Sequence, residues 1–299
     1  MTALLLGALG LTLSLLVPRP LARARWTARV PAAAVALWQA ITLAAVLSAV
    51  GVVLAAPEEL VRATGRGAEA ALIGALAVAA VIVVRLLWCL GGVMYRSRAR
   101  RERHRTLVDL LDRAERRAGL TDEVRVLDGP LPFAYCLPGR SPRVVVSDGA
   151  LQVLTAEQVA AVIAHEQAHL RRRHDLVTES FTAFHRAVPR PLRSRRPLDA
   201  VHLLLEMLAD DAARRAHGDA ALRDALTTMG DATTTPETDG GRDEQAERRR
   251  RLERLRPGAP GPDRRLAAAV LAAAAGVLVL PTVFLVVPWL DTALGNWPL

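Results

Sequence analysis

Two histidines four residues apart, with a glutamate directly after the first, form the clearest chemical signal in this sequence: His165, Glu166 and His169. Residues i and i+4 of a helix share a face, so both imidazoles can reach one ion. Catalytic zinc takes three protein ligands and keeps one position open for water. Because the pKa of that water falls toward ~7, Glu166 can take its proton and later pass it to a departing amine. The pattern predicts one zinc ion per chain and hydrolysis of peptide bonds.

A second pair of candidate residues, Glu206 and Asp210, is also spaced four apart, in a run with helical periodicity. We interpret Glu206 as the third zinc ligand and Asp210 as the acceptor of a hydrogen bond from the far nitrogen of a ligating histidine. The alternative is two solvated acids on a helix. His202, one turn before Glu206, could donate to the oxyanion that forms during hydrolysis; the alternative is an ordinary surface histidine.

The residues after His169 exclude one class of zinc peptidase. A metzincin would need glycine at 172 and histidine at 175, whereas the chain has Arg172 and Asp175. His174 is therefore interpreted as lying in an outer shell or on the surface rather than in the ligand set.

The elements that position these residues can also be predicted. Thr155 with Gln158 has the form of a capping box, so the helix with the histidines is expected to begin there. Three short runs before it, 124–127, 133–137 and 143–147, have the composition of strands, and a small antiparallel sheet is the simplest assembly. The two cysteines, Cys89 and Cys136, cannot form a disulfide framework and are expected to be reduced packing residues.

Four long apolar runs stand out in a chain that is 52% hydrophobic and 23% charged: 2–17, 31–56, 70–95 and 266–287. A helix needs about 20 apolar residues to cross a ~30 Å hydrocarbon core. We predict a mainly α membrane protein with three transmembrane helices in residues 1–95. An α+β zinc-peptidase domain is predicted for 96–265, and a fourth transmembrane helix with a short tail for 266–299.

The distribution of charge predicts the topology. All 39 lysine-or-arginine positions are arginine, the net charge is +9, and many arginines lie beside the apolar runs. This placement is typical of cytoplasmic loops, and we favour it over direct nucleic-acid binding. We predict a bacterial cytoplasmic membrane protein with both termini outside and the zinc domain in the cytoplasm. Arg85, inside the third run, is expected to reach toward the headgroups; a functional role is the alternative.

The span from about 104 to 215 resembles the catalytic region shared by the M48 and M56 metallopeptidases. The resemblance rests on the segments Phe133–Tyr135, Val144–Gly149, Leu154–Gln158, Ala164–His169 and Glu206–Asp210. It implies a gluzincin-like domain in which zinc is held by His165, His169 and Glu206. It also implies that Glu166 is catalytic, and that a substrate strand pairs with the sheet edge near Phe133, Ala134 and Tyr135.

Three membrane segments before the domain and one after it resemble the M56 group, whose members typically cleave, or trigger cleavage of, a cytoplasmic transcriptional repressor. The implied partners are a protein or peptide substrate, the lipid bilayer and an extracytoplasmic sensor. Without lysine, the Ser-x-x-Lys acylation site of antibiotic sensors is impossible. Two alternatives stay open: an HtpX-like protease for membrane-protein quality control, and a non-enzymatic basic membrane scaffold.

Overall fold

The computed structural model describes residues 2–112, 121–190, 193–232, 239–259, 261 and 263–295. Within these residues the fold is mainly helical with one small sheet, which confirms the predicted class. The helices are α1 (Thr2–Leu11), α2 (Pro18–Ala22), α3 (Pro31–Val61), α4 (Arg66–Leu111), α5 (Asp148–Val153), α6 (Ala156–Arg171), α7 (His174–Ala187), α8 (Arg196–Ala232), α9 (Asp239–Arg254) and α10 (Arg264–Gly295). The strands are β1 (Val124–Leu127), β2 (Ala134–Leu137) and β3 (Arg143–Ser147).

Contacts between these elements divide the chain into two compact units. The membrane unit contains Met1–Val93, Ser180–Val201 and Pro262–Leu299. The sheet unit contains Met94–Glu179 and His202–Gly261. Each unit is therefore built from parts of the chain that are distant in sequence.

Four helical segments among the described residues are long and apolar enough to cross a membrane: Thr2–Ala22, Pro31–Val61, Arg66–Leu111 and Arg264–Phe284. Each of these segments contains the corresponding predicted apolar run, or most of its residues. The third differs most from its predicted bounds, because α4 continues for 46 residues, well past residue 95. The arginine-rich stretch that follows holds no glycine or proline that would stop a helix. The last four residues of the predicted tail, 296–299, lie outside the described residues.

In the membrane unit, α3 packs against α1 and α10. Small residues of α3, among them Ala40 and Ala44, lie against Val270 and Ala274 of α10, and small side chains allow helices in lipid to approach closely. Ser48 is fully buried, and its hydroxyl donates to the carbonyl oxygen of Ala44 at 2.7 Å. The hydroxyl is thus satisfied within its own helix.

The end of α7 also belongs to the membrane unit. The ring of Phe181 lies edge-on to Trp38 of α3, with centroids 6.2 Å apart. Arg85 of α4 donates from Nε to the carbonyl oxygen of Ala187 at 2.6 Å. The last carbonyls of a helix lack partners within it and carry partial negative charge, so Arg85 caps the end of α7.

The sheet has the strand order β1–β3–β2. β2 and β3 pair antiparallel, with Tyr135 opposite Val145, whereas β1 and β3 pair parallel, with Val126 opposite Val146. The predicted strands are present, but the sheet is mixed rather than antiparallel throughout. The chain reverses direction twice between β1 and β3, so these two strands point the same way, and β3 lies between its partners. Among the described residues, β1 and β2 are therefore the two edge strands.

The helix with the two histidines, α6, begins with the predicted capping box. Thr155 Oγ1 accepts from the backbone N–H of Gln158 at 3.3 Å, and Gln158 Oε1 accepts from the N–H of Thr155 at 3.0 Å. One face of α6, including Val159 and Val162, packs on the valines of β3. These contacts fix the rotation of α6, and with it the direction of His165 and His169, which follow Val162 by three and seven residues.

Candidate metal centre

Three candidate ligands from two helices converge in the sheet unit: His165 and His169 of α6, and Glu206 of α8. The Nε2 atoms of the histidines are 3.2 Å apart. Glu206 Oε2 is 3.4 Å from Nε2 of His165, and its Oε1 is 3.3 Å from Nε2 of His169. A tetrahedral zinc site with bonds of about 2.0–2.1 Å has ligand atoms about 3.3–3.4 Å apart. The three side chains therefore fit one zinc ion that keeps a fourth position open.

The ring nitrogens that point away from this triangle also have partners. Nδ1 of His165 is 3.0 Å from Oδ1 of Asp210, which is 1% exposed. Nδ1 of His169 is 3.0 Å from Nδ1 of His174, and the two rings meet edge to face with centroids 4.7 Å apart. A partner on the far nitrogen fixes the tautomer and orientation of a ligating histidine. Asp210 and His174 are placed to do this for His165 and His169.

Arg251 of α9 completes the electrostatics of the site and was not identified from the sequence. Its Nε and Nη2 donate to the two oxygens of Asp210 at 2.8 and 2.7 Å. Its Nη1 is 2.8 Å from Oε2 of Glu206. One guanidinium thus neutralises two largely buried carboxylates, in the bidentate geometry that makes arginine–carboxylate pairs strong.

The protonation states of the three candidate ligands follow from these neighbours. Burial alone would lower the pKa of His165, but its hydrogen bonds with Asp210 and Glu206 outweigh burial and raise the pKa to about 10. Burial lowers the pKa of His169 to about 4. Burial alone would raise the pKa of Glu206, but His165 and the charge of Arg251 hold it well below its usual value. At neutral pH the metal-free triangle therefore holds one proton, on His165.

Glu166 projects from the same helix toward β2. Burial raises the pKa of its carboxyl above the usual value, although the charge of His165 opposes this. The thiol of Cys136 in β2 hydrogen bonds to Glu166, and burial together with this carboxylate raises the pKa of the thiol to about 12. A carboxyl group with a raised pKa is suited to exchanging protons near neutral pH. The Cys136 thiol, by contrast, stays protonated.

The remaining predicted site residues lie on the same elements. Phe133 directly precedes the edge strand, Ala134 and Tyr135 begin it, and the rings of Phe133 and Tyr135 stack with centroids 6.0 Å apart. The hydroxyl of Tyr135 is 2.8 Å from Nε2 of His104 on α4. His202 is half-buried one turn before Glu206 on α8. The roles predicted for these residues stay predictions.

Comparison with known proteins gives a partial match. Residues 97–188 match the model of Peptidase family M48. A protein described as Protease HtpX homolog, from Herminiimonas arsenicoxydans, is 45% identical over 74 residues, which is 24% of this chain and 25% of that protein. The chain thus spans about a quarter of the length of this curated relative. No solved structure matches it. The match contains both histidines and Glu166 but ends before Glu206, which the fold supplies. Residues 97–188 are thus similar to Peptidase family M48, and Glu206, from outside the matched segment, lies with His165 and His169 in an arrangement that could hold one metal ion.

Proposed function

We propose that this chain is a membrane-bound zinc endopeptidase that resembles the HtpX-type M48 proteases. The observation that carries the proposal is the triangle of His165, His169 and Glu206, whose ligand atoms are separated as the ligands of one zinc ion would be. The match to an M48 model over 97–188 and the 45% identity to an HtpX homolog over 74 residues support it. Four helices able to cross a membrane support the location.

Hydrolysis would proceed with Glu166 as the group that moves protons. Zinc, when bound, polarises the scissile carbonyl and lowers the pKa of water at the open position to about 7. The Glu166 carboxylate accepts a proton from the attacking water, whose oxygen joins the carbonyl carbon. The same carboxyl then gives the proton to the nitrogen of the departing amine as the C–N bond breaks. Asp210 and His174 hold the two ligand rings in place meanwhile.

The substrate would bind as an extended segment along β2. Edge strands present unpaired N–H and C=O groups that can pair with another chain. Cys136 of β2 hydrogen bonds to Glu166, so this edge lies beside the group that moves protons. Synthetic peptides with single N-methylated amides test the mode of binding. N-methylation should reduce the rate of cleavage at every second position of the peptide and leave it unchanged at the positions between, because only alternate N–H groups face β2. A loss of cleavage that does not alternate along the peptide would contradict strand pairing but would not contradict zinc-dependent hydrolysis.

The activity itself is tested with detergent-purified protein, a quenched fluorescent peptide library and the Glu166→Gln variant. We expect cleavage that stops with a chelator, returns with zinc and is lost in the variant. Glu157→Gln is the matched control, because Glu157 is exposed in the first turn of the same helix. Zinc-dependent cleavage that survives Glu166→Gln would contradict the assignment, as would a protein that binds no zinc after purification without chelator.

For the physiological role we favour quality control of membrane proteins, by analogy with HtpX-type enzymes. The second candidate is cleavage of a cytoplasmic repressor, as in the M56 group. It is favoured by the order of the candidate spans, with three before the M48-matched domain and one after it. Capture of substrates on the inactive Glu166→Gln protein separates the two roles. Many membrane proteins are expected for quality control, and one soluble DNA-binding protein for the repressor pathway.

We also propose that the metal centre faces the cytoplasm. The C-terminal part of α4, beyond the apolar run 70–95, contains six arginines between positions 96 and 105, and such basic stretches stay on the cytoplasmic side. Single cysteines at Glu58 and Glu157, in a chain whose two native cysteines are replaced by alanine, test this in intact cells. An impermeant maleimide should label position 58 and leave position 157 unlabelled; the reverse pattern would invert the topology.

A further inference from the structure

A cleft in the membrane unit lies between the first two candidate spans and the segment Ser180–Val201. It is a groove that is partly open to the surroundings, and only about 50 Å³ of it is enclosed. Its walls are mostly aliphatic and aromatic, with Leu13 from the first span, Trp38 from α3, and Phe181 and Phe184 from α7. Such a surface in a membrane protein suits an acyl chain.

One end of this cleft is basic and polar. Arg19, just inside α2, lines it and is exposed, and no ion pair of Arg19 occurs among the described residues. His185 lies at the same cleft, where its Nδ1 is 3.1 Å from the carbonyl oxygen of Ser194. The exposed guanidinium at the rim complements a phosphate group.

The depth of the cleft matches one lipid chain. Helices rise 1.5 Å per residue, so Trp38 and Thr42 lie roughly 10 and 16 Å along α3 from its start at Pro31. Leu13 lies roughly 9 Å before Arg19 on the first span. The lining therefore runs from a basic helix end to about half the thickness of a ~30 Å hydrocarbon core.

Two further observations fit a lipid in this cleft. Trp38 lines it and is 2% exposed, and its indole Nε1 has no hydrogen-bond partner among the described residues. An indole without a protein acceptor fits an apolar surrounding such as an acyl chain against its ring. The backbone at the end of α7 is satisfied without water, because Arg85 and Arg193 donate to the carbonyls of Ala187 and Val188. Such satisfaction is what backbone at membrane depth requires.

We propose that this cleft binds one anionic phospholipid from the surrounding bilayer. Its phosphate pairs with Arg19, and one acyl chain lies along Trp38 and Phe184. Residues of the segment Ser180–Val201 line one side of the cleft, and this segment connects α7, which follows the helix with His165 and His169, to the part of α8 that carries Glu206. This inference goes beyond the peptidase assignment and does not depend on it.

The first experiment counts phospholipids that stay bound to the detergent-washed protein, by native mass spectrometry. We expect one phosphatidylglycerol per chain in the unmodified protein and in Leu43→Phe, and none in Thr42→Phe. Thr42 lines the cleft, whereas its neighbour Leu43 is 51% exposed and provides the matched control. Equal retention in the two variants would overturn the proposal, as would a peptide or a second copy of the chain in place of the lipid.

The second experiment does not depend on how a cleft-filling variant folds. A protein that keeps only Trp38, with phenylalanine at positions 26, 88, 289 and 297, is placed in phosphatidylcholine vesicles with small fractions of acyl-brominated lipid. Quenching by brominated phosphatidylglycerol should saturate at a mole fraction about fivefold lower than with brominated phosphatidylcholine. Arg19→Gln should remove the difference, and Arg66→Gln should keep it. Unsaturable quenching, or equal quenching by both lipids in the unmodified protein, would overturn the proposal.

Discussion

Replacing Arg251 by methionine removes the positive charge from the candidate metal centre while keeping most of the apolar length of the side chain. The guanidinium makes two hydrogen bonds to Asp210, at 2.8 and 2.7 Å, and one contact of 2.8 Å with Glu206. Asp210 is 1% exposed, so water cannot replace the lost donors. Removing one partner of a buried ion pair costs about 3–5 kcal/mol in the free energy of unfolding.

That cost is large enough to measure in detergent. Each kcal/mol shifts the melting temperature of a domain of this size by about 2–4 °C, so Arg251→Met should melt roughly 6–20 °C below the unmodified protein. Circular dichroism gives the melting curve, and Arg250→Met is the matched control because Arg250 is exposed on the same helix. The double variant Asp210→Asn, Arg251→Met should lose less than the sum of the single losses, since the two residues share one interaction. Equal melting temperatures for Arg251→Met and Arg250→Met would refute the reasoning.

Three further predictions concern the chemistry of the site. Glu166→Gln should lower peptide cleavage by about 100- to 10,000-fold and leave the zinc content unchanged, as measured by peptide assay and by elemental analysis; joint loss of zinc would make Glu166 a ligand instead. Because the pKa of His165 is raised to about 10 and that of His169 lowered to about 4, zinc binding at pH 7 should release on the order of one proton, from His165. Calorimetry in buffers of different ionisation enthalpy counts this proton, and a count near two would mean that both rings are protonated. His174→Ala should weaken zinc binding by about 10- to 100-fold in a chelator competition, and His174→Asn should recover part of it because its side-chain oxygen can accept from His169.

The parts of the site that are local in sequence could be predicted from it. The capping box at Thr155 sets the start of α6, and helical spacing alone places His165 and His169 on one face. The spacing of Glu206 and Asp210 on α8 likewise indicates a ligand and its neighbour. Each of these predictions uses residues within about one turn of each other. Local geometry dictates them before any tertiary contact forms.

Contacts between distant segments could not be predicted in the same way. The order β1–β3–β2 depends on which strand lies between the other two, and strand composition does not encode that. Arg251 stands in a run of four arginines at 248–251, and only the rotation of α9 decides which of them faces Asp210. A clue existed, because Leu255, one turn later, is 1% exposed and marks the buried face of that helix. In a stretch so rich in charge, the two leucines Leu252 and Leu255 are a weak indication of direction.

The orientation of the His169 ring depends on the turn between α6 and α7, whose backbone strain is offset by contacts elsewhere in the chain. Arg173, between α6 and α7, has φ of 52°, and this left-handed conformation costs a non-glycine residue about 1–2 kcal/mol. It turns α7 sharply enough for His174 to meet Nδ1 of His169 at 3.0 Å. Asp175, directly after His174, and Glu179, one turn later, both bind Arg101 of α4. Nη1 of Arg101 is 3.1 Å from Oδ2 of Asp175, and Nη2 is 2.5 Å from Oε1 of Glu179. All three side chains are less than a quarter exposed, and breaking a buried pair of this kind costs about 3–5 kcal/mol, more than the strained turn. The start of α7, and through His174 the ring of the candidate ligand His169, is therefore held by the helix that also forms the third candidate membrane span.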